Sequence, residues 1–131
     1  MGAPASPDNR KRTPIKRTPM RRKAPAPLFV QWQSEADFQR QVEELAHVCG
    51  YMTSHAHLPF FDTAGMPDLL IVHPRTGRTI FAELKVRDKH GHAPKPGPAQ
   101  SRWLAALAIK NETYLWLWPD SWDELEKVLA A

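Results

Sequence analysis

The chain of 131 residues is 42% apolar and 24% charged, with a formal net charge of +4. That length supports one domain with a modest core rather than several. Its single cysteine, Cys49, excludes an intramolecular disulfide. Neither a secretory apolar stretch nor a run long enough to cross a bilayer is present, so a reducing, cytoplasmic compartment is the default expectation.

The charge is unevenly divided. Residues 1–27 hold eight basic side chains (Arg10, Lys11, Arg12, Lys16, Arg17, Arg21, Arg22 and Lys23) and one acid, Asp8. The remainder keeps 10 of the 18 basic and 13 of the 14 acidic residues and is mildly acidic. Six of the 13 prolines also lie in residues 1–27, where Lys11-Arg12-Thr13-Pro14 recurs as Lys16-Arg17-Thr18-Pro19. Without helical or strand periodicity, this segment reads as a disordered or polyproline-like basic arm ahead of a folded domain spanning 28–131. Its charge suits a polyanion, with several phosphate contacts and a strong salt dependence. The competing reading is a solubilising tail.

Ser34 has the chemistry of an N-cap for a helix over 35–48, with Phe38, Val42, Leu45, Ala46 and Cys49 as its apolar stripe and Gly50 as its stop. A first strand is expected over 51–57, followed by an irregular stretch over 58–66. Strands over 68–73 and 79–86 form a hairpin about Arg75-Thr76-Gly77-Arg78. A tight two-residue turn at Thr76-Gly77 would set Asp68 opposite Lys85. Residues 87–99 are a loop rich in proline, glycine and lysine. A second helix follows from Pro98 or Ala99 to Lys110, with Pro98 allowed in the first turn and Asn111 as a left-handed cap. A last strand over 113–118 and a last helix over 121–130 complete an α-β-β-β-α-β-α order. This is an α/β fold with a central mixed sheet flanked by helices.

Chemistry concentrates on the hairpin. Glu83 and Lys85 are two apart in a strand and so share a face, with Asp68 on the neighbouring strand. Two carboxylates suit Mg²⁺ or Mn²⁺, and a lysine beside them suits a phosphoryl transition state. The plain alternative is a cross-strand ion pair worth less than about 1 kcal/mol. Glu35 heads the apolar stripe of the first helix, where a first-turn acid also favours the helix dipole, whereas Glu43 and Glu44 read as solvated. Gln100 heads a second stripe, with Trp103, Leu104 and Leu107, and near a helix N-terminus it can orient water or meet a phosphate. His55 and His57 share a strand face but lack partners at zinc spacing, which leaves His55 for the substrate cleft. Arg87, Lys89 and Lys95, with His90 and His92, make the long loop a second DNA contact. Trp103, Trp116, Trp118 and Trp122 read as core or sheet-face packing, an aromatic platform for bases being the alternative.

Three segments, Gly65-Met66-Pro67-Asp68-Leu69-Leu70, Phe81-Ala82-Glu83-Leu84-Lys85 and Gln100-Ser101-Arg102-Trp103-Leu104, resemble the VRR-NUC family of the PD-(D/E)XK nuclease superfamily. The resemblance extends to Glu35, to Gly50-Tyr51 followed by His55, and to Trp118-Pro119, covering about residues 34–130. The small free-standing members, common in phages, are the most similar. The resemblance implies a restriction-endonuclease-like core and a Mg²⁺- or Mn²⁺-dependent DNA endonuclease. Glu35, Asp68, Glu83 and the backbone carbonyl of Leu84 would be metal ligands, Lys85 the catalytic lysine, and Gln100 the polar residue of the second helix. It further implies a homodimer and branched DNA, in the manner of a Holliday-junction resolvase. The chain departs from the pattern in its longer loop over 87–99, in Asn111 where glycine is expected, and in its basic arm. The alternative function is a non-catalytic or weakly catalytic DNA-binding accessory protein of the same fold, with a protein-interaction module built on the tryptophan-rich C-terminal segment ranked last.

Overall fold

The computed structural model describes residues 32–55 and 64–131. The basic arm and His57 lie outside the described residues. The elements are α1 (Glu35–Val48), β1 (Met52–Ser54), β2 (Leu69–Val72), β3 (Thr79–Val86), α2 (Pro98–Ala108), β4 (Glu112–Trp118) and α3 (Trp122–Ala130). They form one mixed sheet in the order β1-β2-β3-β4. The first two pairings are antiparallel and the β3–β4 pairing is parallel, as a crossover through α2 requires.

Alternation decides what each sheet face does. On β3, Ile80, Ala82 and Leu84 are buried in the core together with Leu69 and Ile71 of β2 and Trp116 and Trp118 of β4. Phe38, Val42 and Ala46 of α1 and Leu125 and Leu129 of α3 close over them. Ring contacts join the layers: Phe38 lies 5.7 Å from Trp118, and Trp118 5.6 Å from Trp122. The intervening residues of β3, among them Glu83 and Lys85, face the opposite side, where α2 sits.

The caps follow the sequence. Ser34 Oγ accepts from the Asp37 N–H at 3.1 Å, and α1 has the expected bounds. Three expectations are corrected. The first strand is Met52–Ser54, three residues long, so that His55 follows it, and residues 56 and 57 of the expected strand lie outside the described residues. The hairpin does not turn on two residues. His73 and Arg78 close a four-residue loop, in which Pro74 has no N–H to give a ladder, and Leu69 pairs with Ala82. The register is thus displaced by two residues from the expected one, so each side chain keeps its face while Asp68 moves away from Lys85, toward Glu83 and Leu84. Finally, α2 ends at Ala108, and none of its residues is buried. Asn111 holds that end instead, with its backbone N–H (2.9 Å) and its side-chain Nδ2 (3.1 Å) both donating to Leu107 O.

Candidate active site

The site begins where the β2–β3 ladder ends. Pro67 lacks a backbone donor, and the pairing stops at Leu69. One residue earlier, Asp68 replaces the ladder with its side chain: Oδ2 accepts the Leu84 N–H at 2.8 Å. A carboxylate is thereby fixed beside the middle of β3.

Glu83 is 1% exposed, an unusual position for a carboxylate. Its Oε2 accepts from Gln100 Nε2 at 2.8 Å and lies 3.2 Å from Lys85 Nζ. Its Oε1 is buried without a hydrogen-bond partner among the described residues. Burial pushes the Glu83 carboxyl up to about 7, with the Asp68 charge adding to the rise and the Lys85 ammonium opposing it. Glu35, in the first turn of α1, contributes a smaller repulsion. Its own carboxyl is raised by partial burial, against the pull of Lys85 and with a push from Asp68, although the residue as a whole is exposed. The four charged groups therefore share one electrostatic neighbourhood.

Gln100 is held from the other side. Its Oε1 accepts the Gly97 N–H at 2.9 Å, capping α2, which leaves the Nε2 to face Glu83. Its amide orientation is set by two partners rather than by packing.

The donor set suits a hard divalent cation: carboxylate oxygens, with one buried oxygen unpartnered and a proton affinity that a cation would relieve. The side chains are not gathered around a point, however. Among the described residues no three His, Cys, Asp or Glu groups converge closely enough to hold a metal ion. Lys85 and Gln100 occupy Glu83 Oε2, and the Leu84 N–H occupies Asp68 Oδ2.

No family model and no curated protein matches the sequence. A solved structure described as a VRR_NUC domain is similar, at 24% identity over 72% of this chain and 92% of that one, with a TM-score of 0.55. The chain has a VRR_NUC-like fold. In it, Asp68, Glu83, Leu84, Lys85 and Gln100 come together, with Glu35 near enough to act on them electrostatically.

The remaining candidates of this VRR_NUC-like chain have other surroundings. Arg87 Nε and Nη2 bind the two oxygens of Asp120 at 2.9 and 2.8 Å, and its Nη1 donates to Gly91 O, an arrangement that pins the loop. Lys89 and Lys95 are exposed on that loop, which leads from β3 to α2 past the site. Asp88 organises it further, accepting from the backbone N–H groups of His90 and His92. His55 is half-exposed, with Nδ1 3.1 Å from Glu43 Oε2. Glu43 is not solvated as expected, since Thr53 donates to its Oε1 and Gln39 to its Oε2. The signal for it was Thr53 and His55, two apart and so turned the same way as they leave β1. Trp103, expected in the core, is 39% exposed. With Ala64, Ala99, Arg102 and Ala106 it lines a cleft of about 550 Å³ beside the N-terminal turns of α2. No helix among the described residues is long and apolar enough to cross a membrane.

Proposed function

We propose that this protein is a Mg²⁺- or Mn²⁺-dependent DNA endonuclease that hydrolyses phosphodiester bonds in structured or branched DNA, acting as a homodimer in the manner of a Holliday-junction resolvase. The observation that carries the reading is Glu83, a fully buried carboxylate with an unpartnered oxygen, placed 3.2 Å from the Lys85 ammonium and one strand away from Asp68. A fold has no need of such a group, because burying it raises its proton affinity and costs stability. A cation-assisted phosphoryl-transfer site does need it.

Asp68, Glu83 and the Leu84 carbonyl, with Glu35 from α1, would hold the ion. When bound, the ion supplies positive charge to the phosphorane-like transition state and acidifies a water. Lys85 holds its ammonium next to the carboxylates, where it stabilises charge developing on the non-bridging phosphate oxygens or orients the attacking water. Gln100 keeps Glu83 Oε2 engaged and so leaves the buried Oε1 as the oxygen without a partner. Water oxygen bonds to phosphorus as the bond to the leaving sugar oxygen breaks. The basic arm, with Lys89 and Lys95 of the loop and, secondarily, Arg87 and His55, neutralises phosphates along the duplex. Two-fold symmetry would supply paired cuts. The Trp103 cleft offers an indole and a guanidinium to bases unstacked at a branch point.

A second reading, an accessory protein that binds DNA with little or no catalysis, is favoured by one observation: the described residues do not converge on a metal position. Incubating the purified chain with linear, single-stranded, flap and four-way-junction DNA in Mg²⁺, Mn²⁺ or EDTA separates the two. Metal-dependent cutting that Asp68→Ala abolishes supports the nuclease, and symmetric nicks at a junction support the dimer. Junction binding in EDTA without cutting in either metal supports the accessory protein.

A further inference from the structure

The backbone of α2 comes extraordinarily close to one residue of the segment leading into β2. Gly65 has a φ of +91°, and a Cβ built on it would stand 2.4 Å from the carbonyl carbon of Ala99, 2.5 Å from its oxygen and 2.7 Å from the Gln100 nitrogen. These are backbone atoms, so no side-chain rotation relieves the overlap. The contact falls on the peptide bond that joins Ala99 to Gln100, the residue whose side-chain amide reaches Glu83. No residue of α2 is fully buried, and Gln100, Leu104 and Leu107 are the half-buried ones that face its neighbours.

We propose that Gly65 is a positioning residue: the missing side chain lets the first turn of α2 seat against the 64–68 segment, and that seating brings Gln100 within hydrogen-bond reach of Glu83. The segment runs on into Pro67 and Asp68, whose carboxylate keeps its own anchor on the Leu84 N–H. A methyl group at position 65 pushes the start of α2 outward. The 2.8 Å Gln100–Glu83 bond is then lost while Gly97 continues to cap the helix, because that cap is internal to α2.

Gly77 provides a matched control. Its φ of +75° imposes a comparable backbone penalty on alanine, but nothing lies within 4 Å of its Cβ position. Gly65→Ala, Gly77→Ala and Gln100→Ala would be compared by ¹H–¹⁵N spectra, with the Gln100 side-chain amide assigned as the resonance missing in Gln100→Ala. In Gly65→Ala that resonance should move to the position of a solvated amide, and in Gly77→Ala it should stay where it is in the parent. This arm reads the helix placement directly and holds whether or not the chain cuts DNA. The kinetic arm rests on the nuclease reading. With Mg²⁺, a junction substrate and saturating enzyme, the single-turnover rate of Gly65→Ala should fall about 100-fold. Adding Gly65→Ala to Gln100→Ala should cost nothing more. An unmoved Gln100 resonance in folded Gly65→Ala overturns the proposal, as does an additive double variant. So does failure of Gly65→Ala to fold where Gly77→Ala folds, since Gly65 would then be a requirement of the fold and not of the placement of α2.

Discussion

The two faces of the sheet are built on opposite principles. On one face α1 and α3 bury Phe38, Val42, Ala46, Leu125 and Leu129 against β2, β3 and β4. On the other, α2 buries none of its own residues fully and is held by the half-buried Leu104 and Leu107, by Gln100 and by the Gly65 contact. The first face removes apolar area from water and carries the stability. The second spends a fully buried carboxylate on a polar cluster. The separation lets a chain with a modest core tolerate a costly site, because the side chains that stabilise the fold are not those that would perform chemistry.

The sharpest way to break this comparison is to empty the packed face. Trp116→Ala should lose about 3–5 kcal/mol of stability in urea or thermal unfolding; a loss below about 1 kcal/mol would mean that the core is not where the burial places it. On the other face, Lys85→Ala should lower the cleavage rate by about 10²–10³-fold while Mn²⁺ binding by calorimetry stays intact, and an unchanged rate would remove Lys85 from the chemistry.

Glu83 should write its burial into the pH dependence of folding. Its carboxyl is at about 7 in the folded chain against an ordinary 4.5, so the folded state holds the extra proton between those values. Metal-free stability is therefore highest below about pH 4.5 for this group and declines as pH rises to about 7, by about 3 kcal/mol in all. Glu83→Gln should flatten that part of the profile, and so should saturating Mg²⁺ if the ion binds there. A profile identical in parent and variant would refute the assignment. Deleting residues 1–27 should leave the fold intact and make DNA affinity less steeply dependent on salt; equal slopes in the two chains would remove the arm from the interface. The smallest effect belongs to the exposed side of α2, where Trp103→Ala should change stability by less than about 0.5 kcal/mol and show itself, if anywhere, in affinity for branched rather than linear DNA.

Much of this was legible in the chain. Period 3.6 with a serine cap set the bounds of α1, and alternation set the faces of β3 and β4, because both signals are local and follow from backbone geometry. Grouping Asp68, Glu83 and Lys85 needed only faces and the closeness of consecutive strands, whereas Gln100 joined them through the family resemblance. What sequence did not supply was anything that depends on distance between elements. The hairpin turned on four residues instead of two, moving Asp68 from Lys85 toward Leu84, since turn length is settled by the closure at His73 and Arg78. Glu43 looked solvated until β1 brought Thr53 and His55 to it. Trp103 looked like core because its helix is amphipathic in pattern, yet a pattern does not say whether a partner face is large enough to cover it. By itself the sequence determined the elements, their order and which residue types meet on each face. The tertiary structure alone decided how closely they meet: the burial that raises Glu83, the cap that aims Gln100, and the space that no side chain fills at Gly65. These depend on packing across the chain, where a few tenths of an ångström separate contact from overlap.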